Sequence, residues 1–148
     1  TIGQAVPGPF TLDVGVRDDL HVVRFHAKEQ SDGRTIRWTQ DASEVALSGL
    51  RGSEREIVLV LGDGGRPANA TPARVRLLLN GVLIGDTGVR AGFHSYVFAI
   101  PETLAVDAAS REEPATLRIE STVWSPRAAF GGPDSRELGV MVDTVVVR

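Results

Sequence analysis

Short segments in which apolar and polar residues alternate recur along this chain about every ten residues, with glycine, proline or asparagine clusters between them. Such alternation places apolar side chains on one face of a β-strand and polar side chains on the other. Helical periodicity is missing between these segments, so a parallel sheet built from strand–helix–strand units is excluded. The pattern therefore predicts an all-β antiparallel fold, either a two-sheet β-sandwich or a barrel, and we favour the sandwich of jelly-roll type.

The predicted strands share this alternation or form a continuous apolar run. They are Phe10–Val14, Leu20–Ala27, Thr35–Gln40, Ala42–Leu47, Glu56–Leu61, Ala73–Leu79, Val82–Gly85, Gly92–Ile100, Leu117–Trp124 and an apolar closing strand that ends at Arg148. The clearest local signal is Asn80-Gly81 between two apolar strands, because a type I′ turn requires positive φ at both central residues. The only segment with helical signals lies between Pro101 and Pro114.

Length and composition favour one domain. The chain has 148 residues, of which 42% are hydrophobic, so we expect a single β-sandwich domain over residues 1–148.

A net charge of −3 gives no basic surface for nucleic acid. No run of about 18 apolar residues is present, so we expect no membrane insertion. Because the chain begins at Thr1 and not at Met, we expect it to be a piece of a larger protein.

Several classes of chemistry are excluded by residue content. Cysteine is absent, which removes disulfides, zinc–thiolate sites and cysteine nucleophiles. The three histidines are far apart and form neither HxH nor HExxH, and no GxSxG, Walker or post-strand GxGxxG motif occurs. We therefore predict a protein that is not an enzyme. A hydrolase is the third alternative, since a glycosidase needs two carboxylates about 5–10 Å apart and the sequence selects no pair.

Two tryptophans are the candidate sugar-contacting residues, because flat aromatic faces stack on pyranose rings. Trp124 shares the polar side of its strand with Arg118 and Glu120 and leads into a loop of about twelve residues. We therefore expect its indole to be exposed beside a polar rim, although a core position is the alternative. Trp38 shares a face with Ile36 and is expected in the core.

Planar polar side chains near Trp124 are the candidate hydrogen-bonding partners of a ligand. Arg127, Asp134 and Arg136 belong to the loop that Trp124 enters, and Arg37, on another strand, is a further candidate. Such groups recognise vicinal hydroxyls through paired hydrogen bonds. The alternative is a salt bridge or an Asx turn that only holds the loop.

Asp143 lies within the apolar strand MVDTVVV, where a buried carboxylate must be paired or bound to a cation. A calcium ligand is one interpretation. We favour an arginine partner such as Arg37 or Arg24, because no DxDxD-type cluster is present. Glu29 is a similar case and is expected to contact Arg37 across the sheet.

The layout of these segments resembles the jelly-roll carbohydrate-binding modules and galactose-binding-like domains. The resemblance rests on a Phe-x-x-x-Glu strand, an aromatic and arginine strand, an Asn-Gly hairpin, a Gly-Phe-x-x-Tyr-x-Phe strand and a closing Asp-x-Arg-x-Leu-Gly-x-x-x-Asp segment. In this sequence they are Phe25 and Glu29; Arg37, Trp38 and Thr39; Asn80 and Gly81; Gly92, Phe93, Tyr96 and Phe98; and Asp134, Arg136, Leu138, Gly139 and Asp143. The chain is also similar to extracytoplasmic β-domains of bacterial envelope proteins.

This resemblance implies a non-catalytic glycan-binding module of a bacterial cell-envelope or secreted protein, located extracellularly or in the cell envelope. Its partners would be a glycan or the other domains of the parent protein. No cofactor is expected, although many members of the family bind a structural calcium ion. The alternative is a structural or assembly domain of a larger envelope complex that binds no small ligand.

Overall fold

The computed structural model describes residues 10–15 and 21–148. Within these residues the chain forms ten strands and two short helices. In sequence order they are β1 (Phe10–Asp13), β2 (Val22–Phe25), β3 (Glu29–Ser31), β4 (Arg34–Leu47), β5 (Glu56–Gly62), β6 (Arg74–Leu79), β7 (Val82–Gly88), β8 (Phe93–Ala99), α1 (Glu102–Ser110), β9 (Ala115–Ser121), α2 (Pro126–Phe130) and β10 (Met141–Val147).

The strands form the two antiparallel layers of a jelly-roll sandwich. In one layer β10 pairs with β5 on one side and with β1 and the first part of β4 on the other, and β8 extends the layer beyond β5. In the second layer the order is β2, β4, β9, β6 and β7. The predicted fold class, an antiparallel two-sheet β-sandwich of jelly-roll type, is confirmed.

The main core lies between these layers and is built from the alternating apolar residues of the central strands. Ile57, Leu59 and Leu61 of β5 are fully buried together with Leu117 and Ile119 of β9. Burial of each side chain of this size contributes about 1.5–3 kcal/mol relative to an exposed position. The alternation predicted for the strand of Leu117 and Ile119 is confirmed, and β5, predicted from a continuous apolar run, lies between β10 and β8 as a central strand.

The two strands predicted at Thr35–Gln40 and Ala42–Leu47 are one strand of 14 residues, β4. Its first part pairs with β3 and with Met141 and Val142 of β10, and its second part pairs with β2 and β9. The prediction of two strands was wrong because the chain crosses between layers at Asp41 without leaving the extended conformation.

Other local predictions can be compared directly with the structure. Asn80 and Gly81 have φ values of 47° and 84°, as the predicted hairpin turn requires. The predicted helical segment contains α1, and β2 covers part of the strand predicted from Leu20, a residue that lies outside the described ones. The short elements β3 and α2 were not predicted, because three to five residues are too few to show a periodicity.

A second, smaller hydrophobic cluster lies apart from the main core. It consists of Ile36, Trp38, Trp124, Leu138 and Met141, all of which are buried. Two loops cover it: residues 62–72, which run from the last residue of β5 towards β6, and residues 122–140, which connect β9 to β10 and contain α2. This cluster positions the candidate site.

Candidate functional site

Trp124 is buried, with 9% of its surface exposed, so the prediction that its indole is displayed to solvent was wrong. The alternation of β9 ends at Ser121, and the chain then leaves the sheet. Trp124 forms an isolated antiparallel bridge with Leu138, through backbone hydrogen bonds of 2.9 and 2.7 Å, which turns its ring into the second cluster. The alternation of apolar and polar residues in β9 therefore did not predict the direction in which the Trp124 side chain points.

An edge-to-face series of three aromatic rings runs from this cluster to the surface. The ring centroids of Trp38 and Trp124 are 6.3 Å apart with an interplanar angle of 65°, and those of Trp124 and Phe130 are 6.1 Å apart at 88°. Each pair of this kind contributes about 0.5–1.5 kcal/mol beyond its buried area. Phe130 is 69% exposed. Among the five Phe, two Trp and one Tyr of the chain, all within the described residues, it is the only one classed as exposed.

The helix α2 holds Phe130 in this position. Ser125 is its N-cap, with Oγ accepting from the backbone N–H of Ala128 at 3.4 Å, and Pro126 occupies the first turn. Gly131 ends the helix with a φ of 78°, a conformation that favours glycine. The Ser-Pro start and the Gly-Gly end are sequence signals that could have identified this helix and its terminal aromatic residue.

Arg136 anchors the loop 122–140 through carboxylates. Its Nε and Nη2 atoms donate to the two oxygens of Asp134 at 2.9 and 2.8 Å, and Nη1 donates to Glu29 Oε2 at 2.6 Å. The hydrogen bonds from Arg136 lower the pKa of Asp134 to about 2, and the same bonds raise the pKa of Arg136. These contacts correspond to the loop-holding alternative for both residues.

The remaining predicted site residues have different surroundings. Arg127 is exposed, and its side chain makes no hydrogen bond or ion pair with the part of the chain that the structure describes, while its backbone N–H donates to Asp134. Arg37 is half-buried and donates to the carbonyl of His26 at 3.2 Å. The ring of His26 in turn lies 2.9 Å from the carbonyl oxygen of Glu137. Arg37 is therefore connected to loop 122–140 through His26.

Asp143 has the arginine partner that the sequence favours, but the arginine is Arg34 and not Arg37 or Arg24. The Arg34 Nη1 to Asp143 Oδ2 distance is 2.5 Å, and the same guanidinium lies 4.7 Å from the ring centroid of Phe93. The expected contact between Glu29 and Arg37 is replaced by the Arg136–Glu29 pair. Both errors arise because sequence separation does not determine which strands become neighbours.

The described residues contain no group of three or more His, Asp or Glu side chains arranged to hold a metal ion. Glu29 and Asp143 are each bonded instead to an arginine. Asp63 accepts a hydrogen bond from the backbone of Gly65 at 3.0 Å. The donor set that calcium requires, six to eight oxygens, is therefore not assembled by these carboxylates.

Loop 62–72 borders two grooves above the second cluster. Its first part lines one of about 300 Å³ with Gln30, Asp32 and Phe93. The second groove, of about 250 Å³, is lined by Trp124 and the residues around it, and we call it the indole groove. Its lining residues are Asn69, Ala70, Thr71, Val123, Trp124, Ser125, Ala128 and Ala129.

Arg66 fixes the path of loop 62–72 between these grooves. Its guanidinium donates to the carbonyls of Thr71, Thr122 and Gly139 at 2.7–2.9 Å and to the hydroxyl of Thr122 at 2.9 Å. Burial lowers the pKa of Arg66, although the negative Asp63 opposes this effect. One side chain thus connects both loops over the second cluster, a role that no sequence pattern indicated.

A third groove, of about 430 Å³, lies on the outer face of the second layer. Arginine and carboxylate side chains from neighbouring strands line it and pair with each other: Arg74 with Asp86 at 2.6 Å and Arg118 with Glu120 at 3.0 Å. No aromatic side chain lines this groove. Its charges satisfy each other, so it is a weaker candidate for recognition of a sugar ring than the surface around Phe130.

The search of solved structures finds the same fold in carbohydrate-binding modules. A family 35 carbohydrate-binding module from Clostridium thermocellum is 8% identical, with a TM-score of 0.58 and coverage of 93% of this chain and 97% of that one. The CBM36-1 domain of a multidomain xylanase from the hindgut metagenome of Trinervitermes trinervoides is 7% identical, with a TM-score of 0.51 and coverage of 95% and 97%. These similarities establish the jelly-roll fold.

A GH26-CBM35 β-(1,4)-mannanase from Podospora anserina also matches, with 12% identity, a TM-score of 0.50 and coverage of 96% of this chain and 28% of that one. No protein-family model matches the sequence, and the search of curated proteins finds no match.

The longer of the two described helices, α1, has 9 residues. Neither helix has the length and apolar character needed to cross a membrane.

Proposed function

We propose that this chain is a non-catalytic glycan-binding module of a bacterial cell-envelope or secreted protein. The observation that carries the proposal is Phe130, the one largely exposed aromatic side chain within the described residues, which a buried aromatic pair supports from below. The jelly-roll fold shared with carbohydrate-binding modules is consistent with this role. Because fold alone does not determine function, the proposal depends on the surface around Phe130.

The proposed platform is an aromatic ring whose position is determined before a ligand arrives. Aromatic faces bind the C–H groups of sugar rings, and a ring that is already ordered loses little conformational entropy on binding. Trp124 supports the platform from below. Arg127, exposed on the same helix, is the proposed hydrogen-bond donor to a sugar hydroxyl.

The other predicted site residues take supporting roles in this proposal. Asp134 and Arg136 hold the loop that carries the platform, and Arg37 stabilises the neighbouring segment through His26. One stacked ring and a few water-exposed hydrogen bonds leave little free energy after the costs of association, so we expect weak binding of about 10⁻⁵ to 10⁻³ M.

We further propose that the module is attached to a larger protein that acts outside the cytoplasm. The abundance of Arg, Ala, Val and Gly is typical of a GC-rich bacterial genome, which favours a bacterial origin. The matching mannanase carries its family 35 module within a longer chain, an organisation consistent with an accessory module in this protein. The partners would then be a glycan and the neighbouring domains of the parent protein.

The proposal is tested by titrating a panel of soluble plant, fungal and bacterial polysaccharides into the protein, using affinity electrophoresis and calorimetry. We expect at least one to bind, and we expect the Phe130→Ala variant to bind it at least tenfold more weakly. Phe130→Trp should retain binding. The matched control is Val97→Ala, which removes a comparably exposed apolar side chain from β8. Equal affinity of wild type and Phe130→Ala would contradict the proposed platform.

A structural or assembly domain without a small ligand is the second candidate, and one observation favours it. The outer edges of β7 and β8 border a groove of about 450 Å³, and Val97 beside it is 59% exposed. Unpaired strand edges of this kind can add a strand from another chain. A concentration-dependent mass in size-exclusion chromatography that Val97→Lys abolishes, together with no binding to any polysaccharide, would support this candidate.

A further inference from the structure

Two buried side-chain donors of the described residues, Arg66 Nε and Trp124 Nε1, have no acceptor, and the second lies beside the proposed platform. The indole Nε1–H of Trp124 makes no hydrogen bond within the described part of the chain. A buried N–H group without a partner is uncommon in native proteins, because the hydrogen bonds it made to water are not replaced. Such a group therefore indicates an acceptor that the protein chain does not itself provide.

The residues around this indole form a surface suited to a neutral, hydroxyl-rich ring. The indole groove has apolar walls at Ala70, Val123 and Ala129, and none of its lining residues carries a charge. At its rim the side chains of Asn69 and Thr71 make no hydrogen bond with the described residues and are exposed. An amide and a hydroxyl at the rim of an apolar groove, with the Trp124 ring in its wall, match the alternating C–H and O–H groups of a pyranose.

The groove is also continuous with the platform. Trp124 lines it and lies 6.1 Å from Phe130, measured between ring centroids, and Ala129 at its edge directly precedes Phe130. Its volume of about 250 Å³ is below the roughly 300–1,000 Å³ typical of sites for drug-sized ligands. The space therefore suits one sugar residue and not an oligosaccharide.

We propose that the indole groove is a subsite for one uncharged sugar residue, adjacent to the residue that stacks on Phe130. One oxygen of that sugar accepts a hydrogen bond from Trp124 Nε1, and the side chains of Asn69 and Thr71 bind its hydroxyl groups. The inference rests on the proposed glycan-binding function and specifies its ligand: a neutral chain of at least two linked residues. Because the indole N–H is buried, entry of the sugar requires the rim side chains to change rotamer.

The test uses the polysaccharide that binds best in the panel, together with its mono- and disaccharide fragments. Trp124→Phe removes the N–H and keeps an aromatic ring, and Asn69→Ala removes an exposed rim group that the fold does not need. We expect each variant to bind about three- to tenfold more weakly, as the loss of one hydrogen bond predicts. We expect Thr103→Ala, an exposed change on α1, to bind like wild type.

A spectroscopic measurement provides a second readout. The chain has two tryptophans, so the ¹⁵N-labelled protein shows two indole N–H signals, which Trp38→Phe assigns. We expect saturating ligand to shift the Trp124 signal, and the disaccharide to shift it more than the monosaccharide. If Trp124→Phe lowers the melting temperature, the Asn69→Ala variant and this signal decide the question.

Two patterns of failure are distinguishable. If Phe130→Ala loses binding while Trp124→Phe and Asn69→Ala bind like wild type, and the Trp124 signal does not move, the subsite is contradicted and the proposed function stands. If wild type binds no polysaccharide in the panel, the proposed function itself is contradicted.

Discussion

Gly64 lies against the Cη2 edge of the Trp38 ring in the second cluster. A Cβ atom at Gly64 would lie 1.8 Å from the indole atom Cη2 of Trp38, and the residue has a φ of 73°. Gly65 has the same φ, but a Cβ atom there would have no heavy atom within 4 Å. Substitution of Gly64 and of Gly65 by alanine therefore carries the same backbone cost, but only the Gly64 substitution also forces the Trp38 ring to move.

We expect Gly64→Ala to destabilise the protein more than Gly65→Ala does. A left-handed conformation costs a non-glycine residue about 1–2 kcal/mol, which both variants share. Overpacking against Trp38 adds roughly 1–3 kcal/mol in Gly64→Ala alone. Urea denaturation followed by tryptophan fluorescence measures the difference. Equal loss of stability in the two variants would mean that the glycine does not pack on the ring.

Glu54 is a buried carboxylate that holds the loop between β4 and β5. It accepts backbone N–H bonds from Arg51 at 3.1 and 2.9 Å and from Gly52 at 2.9 Å. Burial raises the pKa of Glu54, but these bonds and the charge of Arg51 lower it by more, so the pKa lies below its usual value. A carboxylate whose pKa is lower in the folded state stabilises the protein above the unfolded-state pKa.

We therefore expect Glu54→Gln to lower the free energy of unfolding by about 1–2 kcal/mol at pH 7, because hydrogen bonds to a charged acceptor are stronger than those to an amide. This difference should shrink as the pH falls from about 5 through the lowered pKa, since the wild-type carboxylate then becomes protonated. Chemical denaturation at pH 7 and pH 3 checks both statements. A constant difference at the two pH values would contradict the assigned role of the charge.

At the scale of single residues, the sequence predicted burial better than partners. It indicated that Trp38 belongs to a core and that Asp143 needs an arginine. It could not indicate Arg34 as that arginine, because their pairing joins residues 109 positions apart. Trp124 was misassigned because its strand ends three residues earlier than its alternation suggests.

At the scale of elements, the strands were predictable and the loops were not. Period-two alternation, and for β5 a continuous apolar run, identified most strands, although β4 was predicted as two; the Asn80-Gly81 turn followed from backbone sterics. The path of loop 122–140 depends on Arg136 and Glu29, which lie 107 positions apart, so the position of its helix and of Phe130 had no local signal beyond the helix caps. The candidate site lies in the part of the chain least determined by local sequence.

We expect Glu29→Gln to loosen loop 122–140. The Arg136–Glu29 pair is about two-fifths exposed on each side, and pairs of this kind contribute about 0.2–1 kcal/mol. Amide hydrogen exchange of residues 126–130 should therefore quicken by up to about fivefold, with a similar loss of affinity for a polysaccharide. The matched control is Glu102→Gln, which removes an exposed carboxylate paired with Arg55. Faster exchange in the control at residues 126–130, or none in Glu29→Gln, would contradict this anchoring.

At the scale of the whole molecule, the fold followed from pattern and not from residue identity. Carbohydrate-binding modules that are 7–8% identical to this chain share its architecture over more than 90% of its length. Alternation, turns and the absence of helical repeats are retained across such distances because many apolar residues can fill one core. In the proposed function, recognition of a ligand depends on loop residues, and the shared fold does not determine those residues.

We expect removal of divalent metal ions to leave the stability of the protein unchanged. The described residues assemble no carboxylate cluster for calcium, and arginine already pairs with the buried carboxylate of β10. Melting temperatures measured with EDTA, and after adding excess Ca²⁺ to the dialysed protein, should agree within about 1 °C. A rise of several degrees on adding Ca²⁺ would demonstrate a bound ion, because a ligand that binds only the native state raises its stability.

The 14-residue strand β4 belongs to both layers, and this has a mechanical consequence. If one layer unfolded while the other stayed intact, the part of β4 in the unfolded layer would lose the backbone hydrogen bonds to its neighbouring strands. The two layers are therefore expected to unfold together. A species with one surviving sheet is therefore unfavourable. In a single-molecule pulling experiment with one attachment at each end of the chain, we expect the protein to unfold in one step and not in two.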